Sequence, residues 1–311
     1  ATRKESPLIV GKGENEAFIA SDIPAILKYT KNYYLLDHDE IVLLENGDIK
    51  IFDIHGEILE KPVQTAKWDI EAAQKDGFPH FMLKEIHEQP EAIRKTINPR
   101  IKDGLPCFDE IKLDDETLAA YGRIYVVACG TAMYAGMVGK YAIEKIARVP
   151  VTVDVASEFR YNDPILSDKD LVIIISQSGE TADTIAAMRL AKEKGATTLA
   201  IVNVQYSTIS REANMAIHTW AGPEIAVAST KAYIVQLSTL YILAFRLAFA
   251  KRVIDENECK RLTQALAATP ESVSQVIENK NLCQFVASKL VGSENLFFIG
   301  RGLDYALSLE G

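Results

Sequence analysis

After Tyr121 the sequence settles into one repeated pattern: a short run of apolar residues, a loop rich in small and hydroxyl side chains, then an amphipathic helix. RIYVVA, VTVDVA, DLVIIIS, TTLAIVNV and AIHTW are the runs, and AGMVGKYAIEKIA and TADTIAAMRLAKEKG lie between them. A strand covered on both faces is apolar without alternation, and parallel neighbours need a crossover long enough to hold a helix. The pattern therefore predicts a doubly wound α/β domain with a parallel sheet. Long helical patterns follow from Ala228 to Phe249 and from Asn257 to Leu290, and ENLFFIGRG reads as one more strand and loop.

The first third obeys different rules. Between Pro7 and Asp53 the runs PLIVG, FIAS, NYYLL, EIVLL and DIKIF are short and separated by turn formers. Asn46-Gly47 between EIVLLE and DIKIFD favours the left-handed dihedrals of a type I′ turn, which predicts a hairpin and antiparallel pairing. HFMLKEIHEQPEAIRKTI reads as a connecting helix, with Phe81, Met82, Ile86, Ile93 and Ile97 near helical spacing and Pro90 marking a break or a fresh start. The expected segments are 1–68, 69–118, 119–290 and 291–311.

Three loops fall at the carboxyl edge of the expected sheet, where ligands of open α/β sheets bind. They are ACGTAMYAG, SQSGETADT and VASTKA. Each precedes a helix, so backbone amides and the helix dipole favour an anion there. A lone Ser229 or Thr181 is ordinarily just an N-cap, but SQSGET has more hydroxyls than one helix end needs. It holds no lysine or arginine, which suits a monophosphate bound as a handle rather than a triphosphate that reacts. AGMVGKY lacks the first glycine and the Ser/Thr of a P-loop and lies in a helical pattern, while GKGENE ends on Glu16 and runs into a strand, so both are set aside.

With 43 acidic against 34 basic residues and no basic block, nucleic acid is not an expected partner. Cys107, Cys129, Cys259 and Cys283 lie far apart and the five histidines show no ligand spacing, so no metal, cofactor or disulfide is expected and a reducing cytoplasm fits. Cys129 reads as a small apolar pocket residue. Glu158 and Arg160 read as an ion pair or a domain contact, and Lys231 either meets the phosphate or pairs with Glu224 or Glu158. The stretch Leu237 to Ala250, interrupted by Arg246, is too short for a membrane span. AYIVQLSTLYILAFRLAFA, which contains it, is apolar nearly all round and must be covered on more than one side.

The series ACGTAMYAG, ASEFRY, SQSGETADT, EIAVASTKA and FFIGRG, in this order and spacing, resembles the first sugar-isomerase (SIS) domain of the glutamine-fructose-6-phosphate aminotransferases. SPLIVGKGENEAFIASD and HFMLKEIHEQP resemble the tail of that family's glutaminase domain and its connector. The resemblance implies an Ntn-hydrolase remnant over 1–68, a flavodoxin-like three-layer SIS domain over 119–290 and the start of a second SIS domain from 291. It implies binding of fructose 6-phosphate or glucosamine 6-phosphate, with glutamine as nitrogen donor in the full-length enzyme and assembly as a homodimer. Carried over residue by residue, Ser176, Gln177, Ser178 and Thr181 would hold the phosphate, Cys129, Gly130, Thr131 and Val227 would line the sugar pocket, and Glu310 would be a catalytic group. Ala132 departs from the serine of many relatives. Because the family's glutaminase nucleophile and its ring-opening groups match nothing here, this chain alone is expected to make no glucosamine 6-phosphate. A stand-alone phosphosugar regulator and a simple sugar-phosphate isomerase are the other readings, and neither accounts for the N-terminal strands.

Overall fold

The computed structural model describes residues 1–3, 8–21, 23, 25–66, 75–111 and 114–311. They form two units, residues 1–81 with 222–225 and residues 82–221 with 226–311. The expected boundary at 68/69 lies outside the described residues. From Met82 on, the stretch expected as a separate connector is part of the second unit, because Ile93, Ile97, Phe108 and Leu118 are buried in its main core.

In the first unit, β1 (Ile9–Lys12), β2 (Ala17–Ala20), β3 (Asn32–Leu35) and β6 (Gln64–Thr65) form an antiparallel sheet in the order β2-β1-β3-β6. β4 (Ile41–Glu45) and β5 (Asp48–Phe52) form the expected hairpin, closed by Asn46 at φ 52° and Gly47 at φ 87°. Both positive values are what a type I′ turn requires.

The second unit opens with α1 (Phe81–Ile97), a 3-10 turn, the hairpin β7 (Ile101–Lys102) and β8 (Leu105–Pro106), and α2 (Asp115–Ala120). Then β9 (Arg123–Ala128), α3 (Gly130–Ile146), β10 (Val151–Val155), α4 (Ala156–Phe159) and β11 (Asp170–Ser176) follow in turn. Next come α5 (Ala182–Glu193), β12 (Thr197–Val202), α6 (Thr208–Glu212), β13 (Met215–His218) and α7 (Lys231–Ala250). The five strands are all parallel, in the order β10-β9-β11-β12-β13. Ile173 and Ile175 of β11 join the core shared with α3 and α7, whereas Val172 and Ile174 join the core shared with α4, α5 and α6. Every residue of β11 is buried, which is why its sequence is a continuous apolar run. The glycines of AGMVGKY are packing residues of α3: a Cβ on Gly136 would lie 2.7 Å from Val126, and one on Gly139 2.8 Å from Leu240.

Three expectations change. α1 runs through Pro90 without a break, since the loss of one backbone bond is outweighed by the burial of Ala92, Ile93, Thr96 and Ile97 beyond it. ENLFFIGRG forms no strand: no neighbouring strand among the described residues pairs with it, and Phe297 and Ile299 are exposed. α7 is a full 20 residues, long and apolar enough to cross a membrane by length and composition, yet it is mostly buried. Its second cover is α3 with α2 and α8 (Glu256–Ala267), so all-round apolarity reflects an interior helix of this unit. The chain continues through α9 (Thr269–Glu278), α10 (Lys280–Leu290) and α11 (Leu303–Glu310).

Candidate functional site

Numbered along the sheet from β9, the strand order is 2-1-3-4-5, so the chain turns one way from β9 and the other way from β11, leaving a crevice between their carboxyl ends. A cleft of about 240 Å³ lies there. Cys129, Thr131 and Ala132 line it from the end of β9 and the start of α3. Ile175, Ser176, Gln177, Ser178 and Thr181 line it from β11 and its loop, Thr184 from α5, Ser229 from VASTKA and Gln236 from α7. No lysine or arginine is in this lining.

The SQSGET loop is held rigidly, and its hydroxyls are oriented by the loop itself. Ser176 Oγ accepts the Gly179 N–H at 2.9 Å and Ser178 Oγ accepts the Glu180 N–H at 3.1 Å. A hydroxyl that accepts from the backbone keeps its own O–H to donate elsewhere. Ser176 and Thr181 also bring their hydroxyls within 3.3 Å. From below, the Asn203 N–H donates to Gln177 O at 3.1 Å, the Ile209 N–H to Gly179 O at 3.0 Å and the Thr208 N–H to Glu180 Oε1 at 2.8 Å. Gly179 sits at φ 68°, and a Cβ there would meet Ser207 Oγ at 2.0 Å, so both backbone and space demand glycine.

Around the cleft stand the N-termini of α3, α5 and α7, whose N-cap residues are Cys129, Thr181 and Thr230. None of the three places its side chain on the first-turn amides. At α3 and α5 this directs first-turn N–H groups and partial positive charge outward. The bland reading of Thr181 as a helix cap therefore fails for its hydroxyl, and in α7 the N-cap is Thr230 rather than Ser229.

Of the expected pocket residues, Gly130 is the first residue of α3, at φ 55°, and Val227 is fully exposed and absent from the cleft wall. The loop is held through the adjacent Ala226 N–H, which donates to Glu85 Oε1 at 3.1 Å, and this leaves the Val227 side chain outside. Glu310 lies beside the cleft, where its Oε1 accepts from Thr131 Oγ1 at 2.9 Å. Burial pushes the Glu310 carboxyl up against the opposing effect of that bond. Burial, then the charge of Glu310, push the neighbouring Tyr233 hydroxyl up to about 12.

Lys231 is not part of the cleft lining. It is 2% exposed and pairs at 2.5 Å with Glu88 of α1, not with Glu224 or Glu158. Arg160 pairs with Asp183 in the first turn of α5 at 2.9 Å rather than with Glu158. Cys129 Sγ lies 3.7 Å from Thr184 Oγ1, and no histidine lines the cleft. Besides Ile175 and Ser229, which carried no expected pocket role, sequence reasoning missed two polar lining residues, Thr184 and Gln236. The signal for the second was available, as the lone carboxamide in the helical run AYIVQLSTLYILAF.

The SIS domain family matches residues 117–246. Over its full length the chain is 51% identical to the glutamine--fructose-6-phosphate aminotransferase [isomerizing] of Caldanaerobacter subterraneus subsp. tengcongensis, and 51% identical to that of Clostridium tetani. Each alignment covers 100% of this chain and 51% of the relative, so the chain spans about half the length of the curated relatives it matches. Among solved structures it is similar to the C-terminal domain of glucosamine-fructose-6-phosphate aminotransferase from Francisella tularensis. That match has a TM-score of 0.73 and 39% identity, and covers 76% of this chain and 66% of that one.

Proposed function

From a chain that carries an SIS domain and is kin along its whole length to the glutamine–fructose-6-phosphate aminotransferases, we propose a sugar-phosphate-holding portion of such an enzyme. The complete enzyme would move the amide nitrogen of glutamine onto fructose 6-phosphate and isomerise the ketose to give glucosamine 6-phosphate. It would act in the cytoplasm as a homodimer. In this reading the cleft between β9 and β11 holds the phosphate as an unreacting handle.

The observation that carries the reading is the cleft's lining of Ser176, Ser178 and Thr181 hydroxyls with the uncapped N-termini of α3 and α5 beside it, and no lysine or arginine. A dianion that only anchors its substrate needs many aligned neutral donors and has no use for a metal or a lysine that polarises a bond to be broken. Thr131 joins the two ends of the site, because its hydroxyl lines the cleft and also meets Glu310. Thr131 is thus placed to report sugar binding to the carboxylate that the reading makes catalytic.

Calorimetric titration with fructose 6-phosphate tests the assignment. Ser176→Ala with Ser178→Ala removes two donors to a charged group, a loss of about 1.5 to 3 kcal/mol each before coupling between them. Unchanged affinity in the double variant would remove the cleft from consideration as the phosphate site.

A further inference from the structure

Gln236 sits six residues into α7, a helix whose neighbouring buried residues are Val235, Leu237 and Leu240. It is 3% exposed, it lines the cleft, and its Oε1 has no hydrogen-bond partner among the described residues. A buried carbonyl without a partner is destabilising, and the usual explanation is a ligand that satisfies it. Ser238 and Thr239, its polar neighbours in the same helix, satisfy themselves by donating to Ile234 O and Val235 O, each at 2.8 Å. Gln236 is the exception in that group, and it is the one that faces the cleft.

The donors for an anion are concentrated on the SQSGET side, and the Gln236 carboxamide approaches from α7 on another side. The unpartnered atom is the carboxamide oxygen, which only accepts, so it suits a sugar hydroxyl that can donate to it and not a phosphate dianion that cannot. We infer that Gln236 is a specificity contact for the sugar itself, accepting a hydrogen bond from a hydroxyl of the bound phosphosugar. The inference rests on the proposed function above. It assigns to α7 the task of separating a phosphorylated polyhydroxy compound from a bare phosphate: the loop after β11 binds both, and Gln236 distinguishes them. A site whose buried polar group is left unpaired by the wrong ligand discriminates more strongly than an apolar wall does.

Gln236→Met and Gln236→Leu keep the volume and helical preference while removing the carboxamide. Titrations of this chain and both variants with fructose 6-phosphate and with inorganic phosphate, alongside thermal melts without ligand, test the assignment. The expected result is fructose 6-phosphate affinity weakened about fivefold to tenfold, inorganic phosphate affinity unchanged, and an unliganded Tm equal to or above that of the parent. Equal weakening for both ligands would assign the loss to a damaged cleft, unchanged fructose 6-phosphate affinity would exclude the contact, and a lowered Tm or failure to fold would show an internal structural role. Each of these overturns the inference. If the parent chain itself binds inorganic phosphate but gains nothing from the sugar, the proposed function fails first and the inference falls with it.

Discussion

Asp170 illustrates how a single carboxylate anchors the central strand. It is buried at the start of β11 and accepts from Ser167 N–H at 2.7 Å, Ser167 Oγ at 2.9 Å and the Arg123 guanidinium at 2.9 and 3.1 Å. Burial pushes its carboxyl up, but the bonds from Arg123 and Ser167 outweigh this and hold it below the usual range. A depressed carboxylate stabilises the fold above its unfolded pKa, about 3.9, and loses that contribution as pH falls through its lower folded value. Asp170→Asn should therefore cost about 1.5 to 3 kcal/mol near neutral pH, and its gap from the parent should narrow in acid. Chemical denaturation across the acid range measures it, and a gap that does not change with pH would show that charge is not the cause. At this scale the sequence is uneven as a guide. Ser176, Gln177, Ser178, Thr181, Cys129 and Thr131 are legible because short motifs concentrate them beside strand ends. Gln236 and Thr184 reach the same cleft one helical turn further on, where a helical pattern masks them.

Among elements, α1 matters more than its sequence indicates. Its apolar residues Phe81 and Met82 are not what it buries in its first half; Lys84 and Glu85 are, at 3% and 2% exposure. Glu85 holds the Ala226 amide, and Glu88 lies 2.5 Å from Lys231 and 3.4 Å from Lys84. The helix is thus latched to the loop and first turn of α7, just before the Ser229 and Gln236 side chains that line the cleft from that loop and the next turn. Glu88→Gln would leave the Lys231 ammonium buried beside Lys84, and breaking a buried pair in this way costs about 3 to 5 kcal/mol, with partial exposure of Glu88 placing it at the lower end. Replacing the pair by Glu88→Leu with Lys231→Met should recover most of the lost stability. Melts of the two variants decide it, since equal loss in the single and the double variant would mean the ion pair is incidental. No pattern rule reveals such a latch, because helical periodicity marks apolar faces and passes over charged ones.

At the scale of the whole molecule, a dense run of exposed apolar residues lies not on α7 but beyond α9. Leu282, Phe285 and Val286 on α10 are exposed, as are Val291, Phe297, Phe298 and Ile299 after it, and α10 buries no residue. So many exposed large apolar side chains in one stretch favour association. The chain should therefore run above its monomer mass in size exclusion coupled to light scattering, and Phe285→Lys with Ile299→Lys should move it toward the monomer. A clean monomer for the parent would show that this surface is too dispersed to drive association.

The sequence by itself determined the doubly wound parallel sheet, the antiparallel start with its Asn46-Gly47 turn, and the motif residues of the cleft. These follow from local rules: strands covered on both faces are continuously apolar, a type I′ turn needs two left-handed residues, and ligand loops follow strand ends. Only the tertiary structure decided that α1 continues through Pro90, that Lys231 answers to Glu88, that Val227 faces outward, that α3, α2 and α8 cover α7, and that ENLFFIGRG forms no strand. Each of those outcomes depends on a partner distant in sequence or on the lack of one among the described residues. A residue's own preference is worth about 1 kcal/mol or less, apart from proline, and the packing of its neighbours outweighs it.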